Sequence, residues 1–222
     1  MARQTLPFLL LALLTVTSAA RRWSLLEYPN PNVDLDWCGR RGVRSSICDP
    51  DLVLSYESAN VVEDALNAIA ADHGYQVAVA LVEEMEAVRG MDKPANAEFW
   101  AKGLHDRWGV GDAATQKGVV LFLAKLDRRV HISTGAGAKA VLTDSETVAT
   151  IDRMRSKLRA GDYDGAVEGA VEDLRAVIAG GSLNHSVWEW AYWEEVLCVW
   201  GPIVVVVVLL FVFVYVFVFI NV

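Results

Sequence analysis

The residues best suited to chemistry in this sequence are aspartates in short polar segments between predicted helices and strands. They lie beside turn-forming residues or at the start of a predicted helix, at Asp49, Asp51, Asp112, Asp144, Asp162 and Asp164. Carboxylate oxygens are the ligands that hard cations such as Ca²⁺ prefer, and α/β folds bind ligands where strands end. Aspartates in loops are more often solvated caps and turns, so each position taken alone favours a structural role.

A glycine turn in the segment RRVHISTGAGAKAVLTD offers a second kind of chemistry. Gly135, Gly137 and Ala140 match the G-x-G-x-x-G/A turn of dinucleotide-binding proteins. Such a site needs an acidic residue at the end of the next strand, about 20 residues further on. Here the residues after Asp144 have helical periodicity instead, and Lys139 lies between alanines rather than in a P-loop. The glycines are better explained by a sharp exit from a strand and close packing of a short helix.

Histidines and serines indicate no catalytic set. The four histidines lie at His73, His105, His131 and His185. None is spaced like the H-E-x-x-H pair of a metalloprotease, and no G-x-S-x-G nucleophile elbow is present. We therefore predict no catalytic residues and, from these motifs, no cofactor.

The first residues have the layout of a secretory signal peptide, predicted over residues 1–20. A single charge at Arg3 precedes an apolar run from Leu6 to Leu14, and small residues follow up to Ala20. This run is too short to span a bilayer unaided. An uncleaved anchor is the alternative.

The C-terminal segment predicts a transmembrane helix over residues 196–220. It carries no charge, and about 25 residues at ~1.5 Å each exceed the ~30 Å hydrocarbon core. The tryptophan-rich segment 182–195 suits a juxtamembrane position at the interface. We expect a single-pass protein with a lumenal or extracellular ectodomain, at the cell surface or on an endomembrane. A GPI anchor is the minor alternative, because small residues at 179–182 also precede the apolar tail.

Cysteine usage agrees with export. Cys38 and Cys48 are the only cysteines of the predicted ectodomain, and an even count in a secreted context predicts a disulfide. Two free thiols are the alternative, which an oxidising lumen disfavours. Asn184 begins an N-x-S sequon and is the predicted glycosylation site.

The charge of the chain limits its partners. The formal net charge is −8, which argues against nucleic acid as a partner. It is compatible with divalent cations, with a basic protein surface and with simple solubility.

The pattern of the central residues predicts one α/β domain after an irregular lead-in over residues 21–48. The predicted elements are a helix from Ser55 to Gly74, a strand in YQVAVALVEEM, a helix in PANAEFWAKGLHDRWGVG, two strands in KGVVLFLAKLDRRVHIST, a helix capped by Asp144 or Ser145 that ends at Gly161, and a last helix closed by Gly180 and Gly181. Alternating elements with continuous apolar strands predict a sheet covered by helices on both faces, a single α/β/α sandwich.

Four segments resemble TPM domains. CDPDLVLSYESANVVEDAL is similar to the opening of such domains. KGVVLFLAKLDRRVHISTGAG resembles their central hairpin, with an Asp-Arg turn and a strand that ends in Gly-x-Gly. VLTD and LRAGDYDGAV match later segments in the same order. The likeness covers about residues 47–180, and it implies a TPM-like domain over residues 49–181.

Within that family, the lead-in with two cysteines and the C-terminal span are most similar to the levamisole-receptor modulator branch. Those proteins are single-pass auxiliaries of acetylcholine-gated channels in nematodes. The resemblance implies a membrane-anchored interaction module that binds another membrane or lumenal protein. A binding role is expected rather than an enzymatic one.

Other relatives are thylakoid-lumen proteins, and phosphatase activity and divalent-cation binding are associated with some of them. A divalent-metal-dependent acid phosphatase is therefore the alternative function. By resemblance, Asp112 and Asp144 are the candidate ligands for Ca²⁺ or Mg²⁺. The chain has Gln116 and Lys117 where the family often has Asn or Asp, and a lysine there would repel a cation.

Overall fold

The computed structural model describes residues 21–183 of the 222-residue chain. The predicted signal peptide over 1–20, the glycosylation site Asn184 and the membrane span over 196–220 lie outside the described residues. Most of the predicted juxtamembrane segment 182–195 also lies outside them. Among the helices of residues 21–183, none combines the length and the apolar character that crossing a bilayer requires.

Residues 21–183 form six strands and five helices. In chain order they are β1 (Arg22–Trp23), β2 (Ile47–Cys48), α1 (Tyr56–His73), β3 (Gln76–Val82), β4 (Glu84–Met85), α2 (Lys93–Trp108), β5 (Gly118–Ala124), β6 (Arg129–Thr134), α3 (Ala136–Lys139), α4 (Asp144–Ala160) and α5 (Tyr163–Ile178). The prediction of a mixed α/β fold is confirmed.

A four-stranded mixed sheet, with strand order β2-β3-β5-β6, organises the domain. β2, β3 and β5 are parallel, and β6 returns antiparallel to β5 through a tight hairpin. All seven residues of β5 are buried, and so are six of the seven in β3. Such continuous apolar runs are typical of parallel strands covered on both faces. β1 and β4 form a separate two-stranded parallel sheet.

Helices pack on both faces of the sheet. On one face, the apolar sides of α1, α4 and α5 surround inward-pointing residues such as Val79 and Leu121. On the other face, α2 packs against Ala80 and Phe122, and the Trp100 ring stacks on the Phe122 ring with centroids 5.4 Å apart. The alternation of side chains along each strand therefore divides the core into two layers.

The lead-in over residues 21–48 is mostly irregular, as predicted, and it also completes the second core layer. The Tyr28 side chain is fully buried. Its hydroxyl lies 2.7 Å from the Cys48 carbonyl oxygen and accepts a hydrogen bond from the Leu81 N–H at 3.1 Å. The predicted disulfide between Cys38 and Cys48 is confirmed and ties the lead-in to β2.

Helix ends follow the capping signals closely. Ser55 caps α1 by accepting a hydrogen bond from the Ser58 N–H at 3.1 Å, and Gly74 ends it in the left-handed region. The predicted N-cap of α4 is one or two residues too late. Thr143, not Asp144 or Ser145, is the N-cap, because its hydroxyl accepts from the backbone three residues on.

Candidate functional site

The carboxyl ends of the parallel strands bring charged side chains to one edge of the sheet. β2, β3 and β5 run in the same direction, so the residues that follow them share this edge. They are Asp49 and Asp51 after β2, Glu83 after β3, and Lys125 and Asp127 after β5. Of the aspartates singled out in the sequence, Asp49 and Asp51 are thus brought together here.

Asp49 is the buried member of this group, with 4% of its surface exposed. Its carboxylate accepts hydrogen bonds from the Val53 and Leu54 N–H groups at 2.9 and 2.8 Å. Burial raises the pKa of Asp49 to about 6, and the nearby Asp51 charge adds to that effect. The two backbone donors and the Lys125 charge lower the pKa and limit the rise.

Asp51 and Asp127 join separate parts of the chain. Asp51 accepts hydrogen bonds from the Trp23 indole N–H at 3.0 Å and from the Glu83 N–H at 2.7 Å. Asp127 accepts one from the Met85 N–H at 2.9 Å. These carboxylates therefore fix β1, β4 and the β5–β6 turn to the end of the sheet.

The aspartates predicted as metal ligands lie at the opposite end, where β5 begins and β6 ends. The Asp112 carboxylate accepts hydrogen bonds from the Ala114 and Thr115 N–H groups at 2.9 and 3.0 Å. Asp144 has a side chain that is 84% exposed and forms an ion pair with Lys139 at 3.1 Å. Each thus has local partners of its own, and their role as ligands stays a prediction.

No group of three or more histidine, cysteine or acidic residues within 21–183 is arranged to hold a metal ion. Asp162 caps α5 through the Gly165 N–H at 2.9 Å. Asp164 accepts a hydrogen bond from the Ser55 N–H, also at 2.9 Å, and so links α5 to the start of α1. These two aspartates have the structural role that loop positions favour.

Two of the histidines lie between α2 and β6. The His105 Nδ1 atom is 3.1 Å from the Ser133 hydroxyl oxygen, and Ser133 is buried. Burial lowers the pKa of His131, which is on β6 as predicted. Both side chains are therefore part of the packing between α2 and the sheet.

A cavity of about 540 Å³ lies between the β5–β6 hairpin and the C-terminal half of α4. Its cationic lining consists of Lys125, Arg128, Arg129, Arg155 and Arg159. We call it the basic pocket. Sequence analysis missed it because the hairpin and α4 are far apart in the chain. The only available signals were the two arginines of the hairpin turn and the i, i+4 pair on α4.

Half of the large apolar side chains that are exposed within residues 21–183 belong to one short stretch of sequence, in and just after the lead-in. We call them the lead-in surface, and they are Leu26, Val33, Trp37, Val43, Leu52 and Tyr56. Trp37 is 64% exposed and Leu52 is 69% exposed. Four of the six lie in the lead-in that was predicted to be irregular, and the sequence pattern there gave no sign that these side chains would be exposed to solvent.

Known structures resemble the described domain. The N-terminal domain of a protein from P. gingivalis aligns over 72% of this chain and 94% of its own length, with a TM-score of 0.54 at 24% identity. The BA42 protein from the psychrophilic bacterium Bizionia argentinensis aligns over 57% of this chain and 82% of its own length, with a TM-score of 0.47 at 17% identity. The first of these likenesses supports the fold alone.

Comparison with curated protein sequences gives no match. The family model for the TPM domain matches residues 47–177, which is more than half of the chain. This range runs from the start of β2 to the penultimate residue of α5 and agrees with the resemblance found in the sequence motifs. The chain therefore belongs to the TPM domain family.

Proposed function

We propose that this chain is a membrane-anchored interaction module whose exported TPM domain binds another membrane or lumenal protein. The observation that carries the proposal is the lead-in surface. Scattered exposed apolar residues are normal on a protein, but a concentration of them marks a binding surface. Here six large apolar side chains are exposed within residues 26–56.

The conformation of Leu52 adds to this argument. Its φ is +54°, a left-handed conformation that costs about 1–2 kcal/mol for a residue with a side chain. Its side chain is nevertheless mostly in solvent, so the fold gains little apolar burial from it. Strained residues of this kind are concentrated at functional sites, which supports a role for Leu52 in binding.

A cation lies beside this apolar surface. The Arg41 guanidinium is 4.4 Å from the centroid of the Tyr56 ring, and Arg40 lies 5.8 Å from the same centroid. Aromatic residues and arginine are the types enriched at protein interfaces. The lead-in surface therefore has the composition expected of a contact site.

Features that are typical of exported proteins support the same proposal. The Cys38–Cys48 disulfide is a feature of oxidising compartments. It agrees with the signal-peptide pattern of residues 1–20 and with the charge-free segment 196–220. By family resemblance, an acetylcholine-gated channel complex is the kind of membrane assembly that the module would modulate.

Membrane topology is tested first. We expect the full chain, expressed in cells, to resist carbonate extraction and to carry a glycosidase-sensitive glycan that Asn184→Gln removes. Resistance to phosphatidylinositol-specific phospholipase C separates a span from a GPI anchor. Recovery of the chain in cytosolic extract with Cys38 and Cys48 reduced would overturn the proposal.

Binding through the lead-in surface is tested with the full chain in oocytes that express acetylcholine-gated channel subunits. We expect the chain to change the agonist-evoked current, and a photocrosslinker at Trp37 to form an adduct with a channel subunit. Leu52→Ser is expected to reduce both effects.

Val148 provides the matched control, because it is also an exposed apolar residue but lies on α4. A crosslinker at Val148 is expected to give no adduct, and Val148→Ser is expected to leave the current unchanged. Equal effects at Trp37 and Val148 would argue against the lead-in surface as the contact site.

A divalent-metal-dependent acid phosphatase is the second candidate. The observation that favours it is the location of Asp112 and Asp144 at the same end of the sheet. Its test is turnover of a generic phosphomonoester by the full chain with Ca²⁺ or Mg²⁺. Turnover that both Asp112→Ala and Asp144→Ala abolish would establish it, and metal-independent or absent turnover would exclude it.

A further inference from the structure

We infer that the basic pocket binds a compact organic polyphosphate, a ring-bearing body that carries two or more phosphate groups. The cavity volume of about 540 Å³ lies within the range of ~300–1,000 Å³ typical of small-molecule sites. Five cationic side chains line it, on a chain whose formal net charge is −8. The pocket is therefore a local concentration of positive charge on a protein whose net charge is negative.

Most of these cations have no carboxylate partner. Arg128, Arg129 and Arg159 form no ion pair with any residue of the described chain. The Arg129 Nε atom is buried, and nothing within residues 21–183 accepts its hydrogen bond. A buried donor without an acceptor is unfavourable, so an anionic ligand at this position would supply the missing acceptor.

The chemistry of arginine favours phosphate. A guanidinium presents a planar fork of donors that matches the oxygens of a phosphate or carboxylate group. Three arginines without carboxylate partners leave three positive charges to neutralise, more than one phosphate group carries. Two or more phosphate groups on one molecule would match them.

The remaining lining explains why an organic body is expected. Leu123, Val130 and Leu158 line the cavity together with the cations, and Tyr163 adds an aromatic ring to the lining. The Lys125 Nζ atom is 5.3 Å from the centroid of the Tyr163 ring. The ring of a ligand can pack against these apolar and aromatic side chains while its phosphates contact the arginines.

Arg128 occupies a backbone position where an arginine is unfavourable. It is the last residue of the hairpin turn and has a φ of +55°. Glycine or asparagine is the usual residue at such a left-handed position. An arginine there adds strain, and contact between its side chain and an anion would be the compensating gain.

The same chemistry is found in free metabolites and in phosphoinositide headgroups. The free source is favoured by the location of the pocket at the α4–α5 connection. α5 has 16 residues, so its far end, which leads toward residues 196–220, is roughly 24 Å away. The pocket therefore lies at the opposite end of α5 from the end that leads toward the predicted span.

The test is calorimetry on the full chain in phosphatidylcholine nanodiscs, with ATP, inositol hexakisphosphate, pyrophosphate and inorganic phosphate as probes. We expect ATP or inositol hexakisphosphate to bind at least tenfold more tightly than pyrophosphate, and inorganic phosphate to bind most weakly. Arg128→Asn and Arg159→Gln are each expected to weaken binding about tenfold, the loss for a charged hydrogen bond.

Arg128→Asn separates ligand binding from folding, because asparagine tolerates the left-handed region and the melting temperature should not fall. Arg175→Gln is the control for general charge, since Arg175 lies on α5 and pairs with Glu172 at 2.9 Å. It is expected to leave the affinity unchanged.

Nanodiscs that contain phosphatidylinositol bisphosphate test the headgroup source. If the chain binds the phosphatidylinositol bisphosphate headgroup but none of the soluble probes, and Arg128→Asn abolishes that binding, the pocket is supported and the headgroup is identified as its ligand. No binding to any soluble probe or to the lipid headgroup, equal binding of inorganic phosphate, or equal loss in Arg175→Gln would overturn the inference.

Discussion

At the scale of single residues, Asp49 is a carboxylate whose pKa is clearly changed by its surroundings. It is buried beside β2, and two backbone N–H groups hold its oxygens. Burial raises its pKa from 3.8 to about 6. The folded protein therefore binds this proton more tightly than the unfolded chain does, so protonation of Asp49 stabilises the fold.

The stability contributed by Asp49 should consequently depend on pH. It is fully present below the unfolded pKa of 3.8 and is lost as the pH rises through about 6. Between pH 5 and 7.5, we expect wild type to lose about 1 kcal/mol of unfolding free energy that Asp49→Asn does not lose. Urea denaturation at both pH values measures the unfolding free energies. The same change with pH in wild type and Asp49→Asn would contradict a raised pKa for Asp49.

At the scale of elements, the connection from β6 through α3 explains the glycines that resemble a nucleotide-binding turn. Gly137 N–H donates to the Gln116 carbonyl oxygen at 3.1 Å, which holds α3 against the segment before β5. A Cβ atom at Gly137 would collide with the Thr115 carbonyl oxygen. The spacing of glycines thus serves close backbone packing, as the sequence analysis expected.

Gly137→Ala should therefore destabilise the domain by about 2–3 kcal/mol, since backbone must move to admit the methyl group. Gly169→Ala is the matched control. It lies inside α5, where a Cβ atom meets only the flexible Lys157 amine at 3.5 Å. That change should be neutral or stabilising by up to ~1 kcal/mol because alanine favours helix. Chemical denaturation of both variants provides the comparison.

The long helices and strands could be predicted from the sequence, and the two-residue strands could not, for a physical reason. Helices such as α1 and α4 have apolar residues at helical spacing and capping residues at their ends, and β3 and β5 are continuous apolar runs. Local sequence patterns are therefore enough to predict these elements. β1 and β4 have two residues each and owe their pairing to tertiary contacts. The same reason hides the basic pocket, because only packing brings Arg129 and Arg159 to one cavity.

At the scale of the whole molecule, the Cys38–Cys48 disulfide stabilises the region that carries the lead-in surface. Replacement of both cysteines by alanine should lower the free energy of unfolding by about 2–3 kcal/mol, as closure of a short loop implies. It should also weaken partner crosslinking at Trp37. Reduced wild type should match the variant, and an unchanged melting temperature in both would contradict this role.

The chain leaves the domain at a fixed point. Glu146, in the first turn of α4, accepts hydrogen bonds from the Ser182 hydroxyl at 2.6 Å and the Leu183 N–H at 2.9 Å. If residues 196–220 span the bilayer, residues 184–195 connect this point to the lipid. These 12 residues reach at most about 40 Å when fully extended. In that case the exit point of the domain stays within about 40 Å of the lipid, so a partner would have to meet the domain close to the membrane.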